Sequence, residues 1–343
     1  MPSASDDIAA AIAAADGALR FDRFVELALY GPHGFYTGTG RAGRRGDFIT
    51  SAEVGPLFGT VLARWIDAEH RRVGSPDDFT VVEVGAGPGA LARAITAEWA
   101  ARPAPPSFRY VAVERSGAQR ALHPASVTSQ ADLPIQPFTG VIVANELLDN
   151  LAFRLLVWDG AWREAFVAEH AGRFVEVLHP LAEVPPFLPA RAPLGARVPW
   201  QQQARDWVAG AQQLLTAGSV LAIDYVTPMT AQLAVMPWRE WLRTYRGHER
   251  GVHYLTDAGE QDITTQVALD QLPEPLSVRT QAQFLQLYDI DDLVEAGRVF
   301  WQAAAAAPTV AAMRMRSRVR EAEALLDPAG LGGFLCLLFP ATG

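Results

Sequence analysis

The chain has 343 residues, of which 50% are hydrophobic and 20% charged, and its formal net charge is −9. This balance is typical of a globular protein and excludes a disordered chain, and the length suits one α/β domain that carries large insertions. Because an acidic surface repels phosphate backbones, we expect no nucleic-acid partner.

The N-terminal part combines helical patterns with an irregular segment. Apolar positions predict a helix over residues 6 to 30, and the glycine-rich stretch from Gly31 to Gly46 is typical of irregular structure. Ser51, followed by Val54 and Leu57, predicts a capped helix that runs to about Arg71.

Buried parallel strands alternate with helices in the next part of the chain. Apolar, β-branched runs predict strands at residues 79 to 84, 108 to 113, 140 to 144 and 219 to 223, and a helix is predicted from Ala90 to about Ala101. Such alternation indicates right-handed βαβ units and a parallel sheet.

The remaining segments are read as insertions and as the end of the fold. Residues 154 to 179 alternate between turn signals and predict an antiparallel meander, and the proline-rich residues 181 to 199 predict a connection. We interpret residues 227 to 275 as a loop-rich cover, in which Trp238 and Trp241 pack a lid. The run from Phe334 to Phe339 predicts an edge or hairpin strand with a buried, inert Cys336.

These elements together predict an α/β fold with a Rossmann-like parallel sheet, an N-terminal helical and loop extension and inserted elements. We divide the chain into an N-terminal cap (1–75), a cofactor-binding core (76–230) with a β-meander at about 154–180, a lid (231–275) and a C-terminal completion of the core (276–343).

A glycine loop follows the first strand of the predicted sheet. Gly85, Gly87 and Gly89 let the backbone turn sharply and approach a ligand at a helix N-terminus. With Ala90 the loop also fits a dinucleotide pattern, so NAD is one alternative and a glycine turn without a ligand is another. Glu83 favours a cationic cofactor, S-adenosylmethionine, because a carboxylate would repel pyrophosphate.

Two more acidic residues are candidates for contacts with the cofactor, and the first of them, Glu114, ends the second predicted strand. Glu114 can accept hydrogen bonds from both ribose hydroxyls of an adenosine ligand, although a solvated strand-end glutamate is the alternative. Asp132 is placed where an acid could reach the adenine amino group. The single cysteine excludes a cysteine-rich metal site, and His248 with His253 forms no recognised metal pattern, so no metal is expected.

The chain resembles the MidA family of S-adenosylmethionine-dependent methyltransferases, whose mitochondrial members assist assembly of respiratory complex I. The similar strings follow the family's order over about residues 20 to 290, and they are Tyr30–Tyr36, Gly46–Glu53, Val82–Gly89, Ala144–Asp149, Ile223–Tyr225, Arg243–His248 and Asp262–Thr264. The glycine loop is common to many methyltransferases, whereas the Gly-Asp-Phe-x-Thr-Ser and Asn-Glu-x-x-Asp strings are much more specific together.

The resemblance implies a Rossmann-like class I methyltransferase sheet with inserted substrate-side elements as the fold, S-adenosylmethionine as cofactor and protein-arginine N-methylation as the activity. The chain departs from the family's pattern at Ala52, at Asn150–Ala152 and at Tyr254–Gly259, where the family has prolines. These positions lie near the presumed substrate side, so they bear on the identity of the substrate more than on the cofactor.

The candidate site residues follow from these strings and strand ends. Methyl transfer needs an aligned nucleophile, and a carboxylate can both grip a guanidinium and accept its charge. We predict Glu146 as the catalytic residue, with Asp149 and His248 as further candidates, although Asp149 could cap a helix and His248 could be an ordinary loop histidine. The remaining predicted cofactor contacts are Asn145, Asp47, Thr50 and Ser51.

Two other functions stay open at this point, a small-molecule methyltransferase and a non-catalytic assembly chaperone that binds the cofactor as a structural ligand. We expect a protein that presents an arginine, or a small molecule, as partner, and a homodimer remains open. No targeting signal or membrane-spanning run is evident, so we expect a cytoplasmic protein that does not bind membranes.

Overall fold

The computed structural model describes residues 2–37, 50–246 and 249–342, so the predicted site residues Asp47 and His248 lie outside the described part of the chain. The helices are α1 (Ala4–Ala14), α2 (Phe21–Tyr30), α3 (Ser51–Val54), α4 (Pro56–Arg72), α5 (Ala90–Ala100), α6 (Gly117–Arg120), α7 (Gln202–Gln213), α8 (Thr230–Val235), α9 (Trp238–Trp241), α10 (Gln281–Leu287), α11 (Ile290–Ala304) and α12 (Val310–Leu326).

The strands are β1 (Ala18–Arg20), β2 (Thr80–Val84), β3 (Arg109–Val113), β4 (Thr128–Gln130), β5 (Phe138–Asn145), β6 (Arg154–Trp158), β7 (Trp162–His170), β8 (Arg173–Pro180), β9 (Arg197–Trp200), β10 (Leu215–Asp224), β11 (Val226–Thr227), β12 (Leu242–Arg246), β13 (Glu249–Arg250), β14 (Asp262–Thr265), β15 (Val267–Ala268), β16 (Ser277–Thr280) and β17 (Leu335–Pro340).

The chain forms two compact units, which are described separately. The sheet unit comprises residues 49–146, 211–223 and 275–343, and the meander unit comprises residues 1–48, 147–210 and 224–274. This division cuts across the predicted segments, because the helices at 51–72 belong to the sheet unit and those at 4–30 to the meander unit.

The sheet unit contains a seven-stranded sheet in the order β16-β17-β10-β5-β2-β3-β4. Strands β10, β5, β2, β3 and β4 pair in parallel, which confirms the predicted α/β fold with its parallel sheet. All five residues of β2 are buried, as expected of a central parallel strand covered on both faces.

The C-terminal strand differs from its predicted place. We expected an edge or hairpin strand, but β17 lies between β10 and β16, and β16, its antiparallel partner, forms the edge. The continuous apolar run explains this position, because an internal strand buries both faces. Cys336 is 2% exposed, and burial raises the pKa of its thiol, as expected for an inert residue.

The helix predicted from Ser51 to Arg71 is in fact two helices. Gly55 interrupts it, and Pro56 begins α4. The Glu321 carboxylate accepts a 2.8 Å hydrogen bond from the Leu57 amide, and a Cβ on Gly55 would lie 2.3 Å from that side chain. Glu321, which is distant in sequence, therefore leaves no room for a side chain at residue 55, where the chain leaves α3.

The N-terminal part of the meander unit also corrects the sequence prediction. The expected single helix over residues 6 to 30 is broken into α1, β1 and α2, because Asp16 and Gly17 have φ angles of +54° and +92° and turn the chain. Strand β1 then pairs antiparallel with β7.

The predicted antiparallel meander is present as β6, β7 and β8. Gly160, Ala171 and Gly172 adopt positive φ at its two turns, in agreement with the turn signals in the sequence. The proline-rich stretch that was predicted only as a connection contributes β9, which pairs with β6 and completes a five-stranded sheet with β1 and β8.

The segment predicted as a loop-rich cover is more regular than expected. It contains α8, α9, the β11–β15 pair and a three-stranded sheet in the order β13-β12-β14. Trp241 is fully buried in the apolar core of the meander unit, and Trp238 packs against that core, which agrees with a packing role. Over the described residues, every helix is too short or too polar to cross a membrane.

Candidate functional site

The glycine loop, residues 85–89, connects β2 to α5 in the sheet unit. Gly85, Gly87 and Gly89 have φ angles of +71°, +52° and +79°, which are left-handed values that side chains disfavour. A Cβ on Gly87 would make only an ordinary contact, at 3.7 Å from Gln119, so it is the positive φ and not crowding that favours glycine here. The loop thus presents bare backbone at the N-terminus of a helix, as predicted.

Glu114, directly after β3, is bound to this loop. Its Oε2 atom accepts a 3.0 Å hydrogen bond from the Gly87 amide, and its Oε1 atom accepts one of 2.8 Å from the Ser116 amide. Each carboxylate oxygen has a second lone pair, so the group can still accept hydrogen bonds from a diol. Glu114 therefore lies at the end of a strand and next to the glycine loop, as predicted from the sequence.

His123 is a residue of this loop's surroundings that sequence reasoning missed. Its Nε2 atom lies 2.9 Å from the Gly87 carbonyl and its Nδ1 atom 2.9 Å from the Ser129 hydroxyl. A Cβ on Gly89 would come within 3.1 Å of the His123 ring, so this glycine also allows close packing. No motif signals such a bridge, because it joins residues 36 positions apart.

Glu83 lies beneath the loop and has two partners within the protein. The carboxylate is 5% exposed and accepts a 2.7 Å hydrogen bond from the Tyr110 hydroxyl and another from the Ala92 amide of α5. Burial raises its pKa to about 7, against the lowering effect of these donors. Glu83 thus joins β2, β3 and α5, and its direct contact with a cofactor stays a prediction.

Asn145 is the last residue of β5, the neighbour of β2, and Glu146 follows it. Val84 pairs with Ala144, so the next residues of both chain segments emerge at the same edge of the sheet. The Asn145 Oδ1 atom is buried and has no hydrogen-bond partner among the described residues. Such an atom favours a ligand that donates a hydrogen bond there.

Glu146 has an unusual backbone conformation. Its φ angle is +52°, its amide donates a 2.8 Å hydrogen bond to the Ile223 carbonyl, and Asn145 Nδ2 donates to its carboxylate over 3.3 Å. A non-glycine residue in the left-handed region is strained by about 1–3 kcal/mol, and such residues cluster at functional sites. The catalytic role of Glu146 stays a prediction.

Three other predicted cofactor residues have different surroundings. Thr50 is the N-cap of α3. The hydroxyl of Ser51 is fully buried and donates a 2.8 Å hydrogen bond to Gln281, which is a structural contact. Asp132 is exposed and lines a cavity of about 520 Å³ with Thr80 and Arg109, the first residues of β2 and β3, whereas the glycine loop follows the last residue of β2. Cofactor roles for these residues stay predictions.

Asp149 belongs to the meander unit and is held by its neighbours. Its carboxylate accepts hydrogen bonds of 2.6 Å from the Thr264 hydroxyl and 2.8 Å from the side-chain Nδ2 atom of Asn150. Burial raises its pKa to about 6 despite these donors. The amides of Leu148 and Asp149 donate to the fully buried Asp224, so this cluster also fixes the turn after Glu146 in the sequence.

Comparison with protein families gives one match over most of the chain. Residues 61–286 match the family described as "Putative S-adenosyl-L-methionine-dependent methyltransferase". This range includes the glycine loop, Glu114, Glu146 and Asp149, and agrees with the resemblance noted in the sequence.

Similar proteins include a solved structure and two curated relatives. The crystal structure of a COG1565 superfamily member from Burkholderia thailandensis bound to S-adenosyl-homocysteine is 27% identical, with a TM-score of 0.83 over 99% of this chain and 92% of that one.

The curated relatives are the Drosophila melanogaster protein arginine methyltransferase NDUFAF7 homolog, mitochondrial, and the Homo sapiens protein arginine methyltransferase NDUFAF7, mitochondrial. The former is 47% identical over 18% of this chain and the latter 40% identical over 17%. These matches span only 14% and 13% of the two relatives' own lengths.

Proposed function

The chain belongs to the family of S-adenosyl-L-methionine-dependent methyltransferases, and we propose that it N-methylates an arginine of a protein substrate. S-adenosylmethionine is the cofactor. Arginine as acceptor is supported by the names of the curated relatives, whose short matches leave the acceptor of this chain as a proposal.

The sheet unit has the groups that this cofactor requires. Gly85 is exposed at the start of the loop, Glu114 offers spare lone pairs for the ribose hydroxyls, and the buried Asn145 Oδ1 atom offers an acceptor for an ammonium group. A neutral buried acceptor and a carboxylate suit a cationic nucleoside better than they suit a pyrophosphate. We therefore assign Gly85, Gly87, Glu114 and Asn145 to the cofactor.

When bound, S-adenosylmethionine supplies a methyl group on a cationic sulfur. An arginine acceptor is protonated in water, so the chain must orient the guanidinium and remove a proton as the new carbon–nitrogen bond forms. We assign both tasks to the Glu146 carboxylate, which can hold two guanidinium N–H groups and accept the proton of the methylated nitrogen. The carbon–sulfur bond breaks, and its electron pair stays on sulfur.

The strained backbone of Glu146 is the observation that carries this assignment. A φ of +52° costs stability, yet it fixes this carboxylate two residues beyond the Val84–Ala144 pair, next to the strand that leads into the glycine loop. Replacement of Glu146 by glycine would relieve this strain but would remove the carboxylate.

The test is incubation of the purified protein with S-adenosylmethionine labelled in the methyl group and a host lysate, followed by acid hydrolysis and amino-acid analysis. The proposal predicts label in methylarginine, and its loss with Glu146→Gln. Label on a small molecule, or on another amino acid, would overturn arginine as acceptor while leaving the methyltransferase activity intact.

A further inference from the structure

Three arginines of the meander unit line one pocket that the proposed chemistry does not use. Arg239 on α9, Arg243 on β12 and Arg250 on β13 surround a cavity of about 390 Å³, here called the arginine pocket. Its other lining residues are Trp238, Leu242, Thr244, Gly251, Val252, His253 and Tyr254. Among the described residues, this lining contains no carboxylate, in a chain whose net charge is −9.

Backbone carbonyl groups hold two of these guanidinium groups in place. Arg250 Nη2 donates a 3.2 Å hydrogen bond to the carbonyl of Arg239, and Arg243 Nε donates one of 2.6 Å to the carbonyl of Glu240. Arg250 is also joined to the sheet, because its Cα pairs with that of Tyr245. These contacts orient the arginines but do not neutralise their charge, and each retains N–H groups for a ligand.

Several other arginines of the same unit, though not all, are paired with carboxylates. Arg197 lies 2.6 Å from Glu176, and Arg246 contacts Asp257 at 3.1 Å and also Glu260. In contrast, within the part of the chain that the structure describes, no ion pair within 4.0 Å involves the three arginines of the pocket. Glu240 and Glu249, which neighbour Arg239 and Arg250 in the sequence, are exposed.

An aromatic wall completes the pocket. The Trp238 ring meets His253 at 5.6 Å and Tyr254 at 5.5 Å, and the Arg239 guanidinium lies over Trp238 at 4.9 Å. Stacking orients Arg239 without supplying a counter-charge. Arginine, tryptophan and tyrosine are the residues most enriched at the energetic centres of protein interfaces, so this lining favours a polypeptide over a free ion.

We propose that the arginine pocket binds side-chain carboxylates of an acidic segment in the protein that is methylated. The planar guanidinium fork matches a carboxylate with two parallel hydrogen bonds, and an apolar side chain of the same segment can pack on Trp238. This inference rests on the proposed function in one respect, since it makes the bound polypeptide the methyl acceptor. It adds a second contact through which a substrate is selected.

The test measures fluorescence anisotropy of a labelled peptide of alternating aspartate and glutamate around one phenylalanine. The control peptide replaces the acids by asparagine and glutamine. The double variant Arg239→Gln/Arg250→Gln removes two exposed charges of the pocket, and the matched control Arg314→Gln/Arg320→Gln removes two exposed charges from α12. Calorimetric titration with S-adenosylhomocysteine on the same preparations checks the cofactor site separately.

We expect the acidic peptide to bind the wild-type chain and the control variant equally, and the pocket variant at least about ten-fold more weakly. Binding should weaken as NaCl rises from about 50 mM to about 500 mM, because the exposed charges are screened. Equal binding by both variants, or binding of the uncharged peptide, would overturn the proposal. Displacement of the peptide by equimolar inorganic phosphate would overturn it in favour of a phosphate site.

Failure of this proposal can be told apart from failure of the proposed function. A chain that binds S-adenosylhomocysteine and methylates arginine but ignores the acidic peptide contradicts only the arginine pocket. A chain that binds the peptide but transfers no methyl group to arginine contradicts only the proposed acceptor.

Discussion

The Gly87 amide donates a 3.0 Å hydrogen bond to Oε2 of Glu114, and so joins the glycine loop to the end of β3. The Ser116 amide binds the other carboxylate oxygen at 2.8 Å, which fixes the plane of the group. The proposed ribose acceptor is therefore already oriented by the loop that would contact the rest of the nucleoside. Orientation before binding lowers the entropic cost of holding a ligand.

Replacing Glu114 by Gln should weaken cofactor binding. The amide offers only one acceptor oxygen, and its NH₂ group would face either the Gly87 or the Ser116 amide. Loss of hydrogen bonds to a charged group costs about 1.5–3 kcal/mol, which corresponds to about 10- to 100-fold in Kd for S-adenosylhomocysteine by calorimetry. The exposed Glu323→Gln on α12 is the control, and equal Kd values for both variants would contradict the assignment.

The variant Asn145→Ala should weaken cofactor binding while leaving the stability of the fold nearly unchanged. Because the buried Oδ1 atom has no partner among the described residues and the hydrogen bond from Nδ2 to Glu146 is long, at 3.3 Å, removal of the side-chain amide should change the free energy of unfolding by less than about 1 kcal/mol. Affinity for S-adenosylhomocysteine should fall at least about ten-fold if this atom accepts a hydrogen bond from the ligand's ammonium group. Thermal melts with and without the ligand measure both effects, and a variant that melts early yet binds normally would refute this role.

Substitutions of Glu146 should reveal the strain at its backbone. At a φ of +52°, Glu146→Gly should be more stable than Glu146→Ala by about 1 kcal/mol, the reverse of the usual order of these residues. Chemical denaturation measures the difference. Both variants, and Glu146→Gln, should lose at least about 100-fold in kcat if this carboxylate accepts the proton. Near-normal turnover of Glu146→Gln would remove Glu146 from the chemistry.

Glu83 should make stability depend on pH. Burial raises its folded pKa from 4.5 to about 7, so the folded state holds this proton between those values while the unfolded state releases it. Its contribution therefore lowers stability as pH rises from about 4.5 to about 7 and is constant above that range.

The variant Glu83→Gln cannot titrate, so its free energy of unfolding relative to wild type should rise by up to about 3 kcal/mol between pH 4.5 and pH 8. Urea denaturation at both pH values measures this change. A difference between the two proteins that does not vary with pH would contradict the raised pKa.

The parts of the site that were predictable depend on local patterns. The apolar run of β2, the alternate glycines and the acid at the end of β3 each follow from neighbouring residues, and the structure confirms their positions. The contacts of Glu83 and Glu114 were less predictable, because Tyr110 and Gly87 each lie 27 residues from the carboxylate that they bind. Periodicity contains no information on such pairs.

The fold shows the same limit. Alternating strands and helices predicted the parallel sheet, but other features of the chain before β2 involve residues that are distant in sequence. Gly55 accommodates Glu321, and β1 exists because β7 offers it an edge. The place of β17 inside the sheet likewise depends on β16, which begins 58 residues earlier in the sequence. Tertiary contacts of this kind override local propensity.

The central claim is that the glycine loop with Glu114 binds S-adenosylmethionine, and calorimetric titration of the wild-type chain tests it most directly. Parallel titrations with S-adenosylmethionine and with NAD should give saturable binding of the first, with one site per chain, and no heat from the second. Binding of NAD, or no binding of S-adenosylmethionine, would contradict the account.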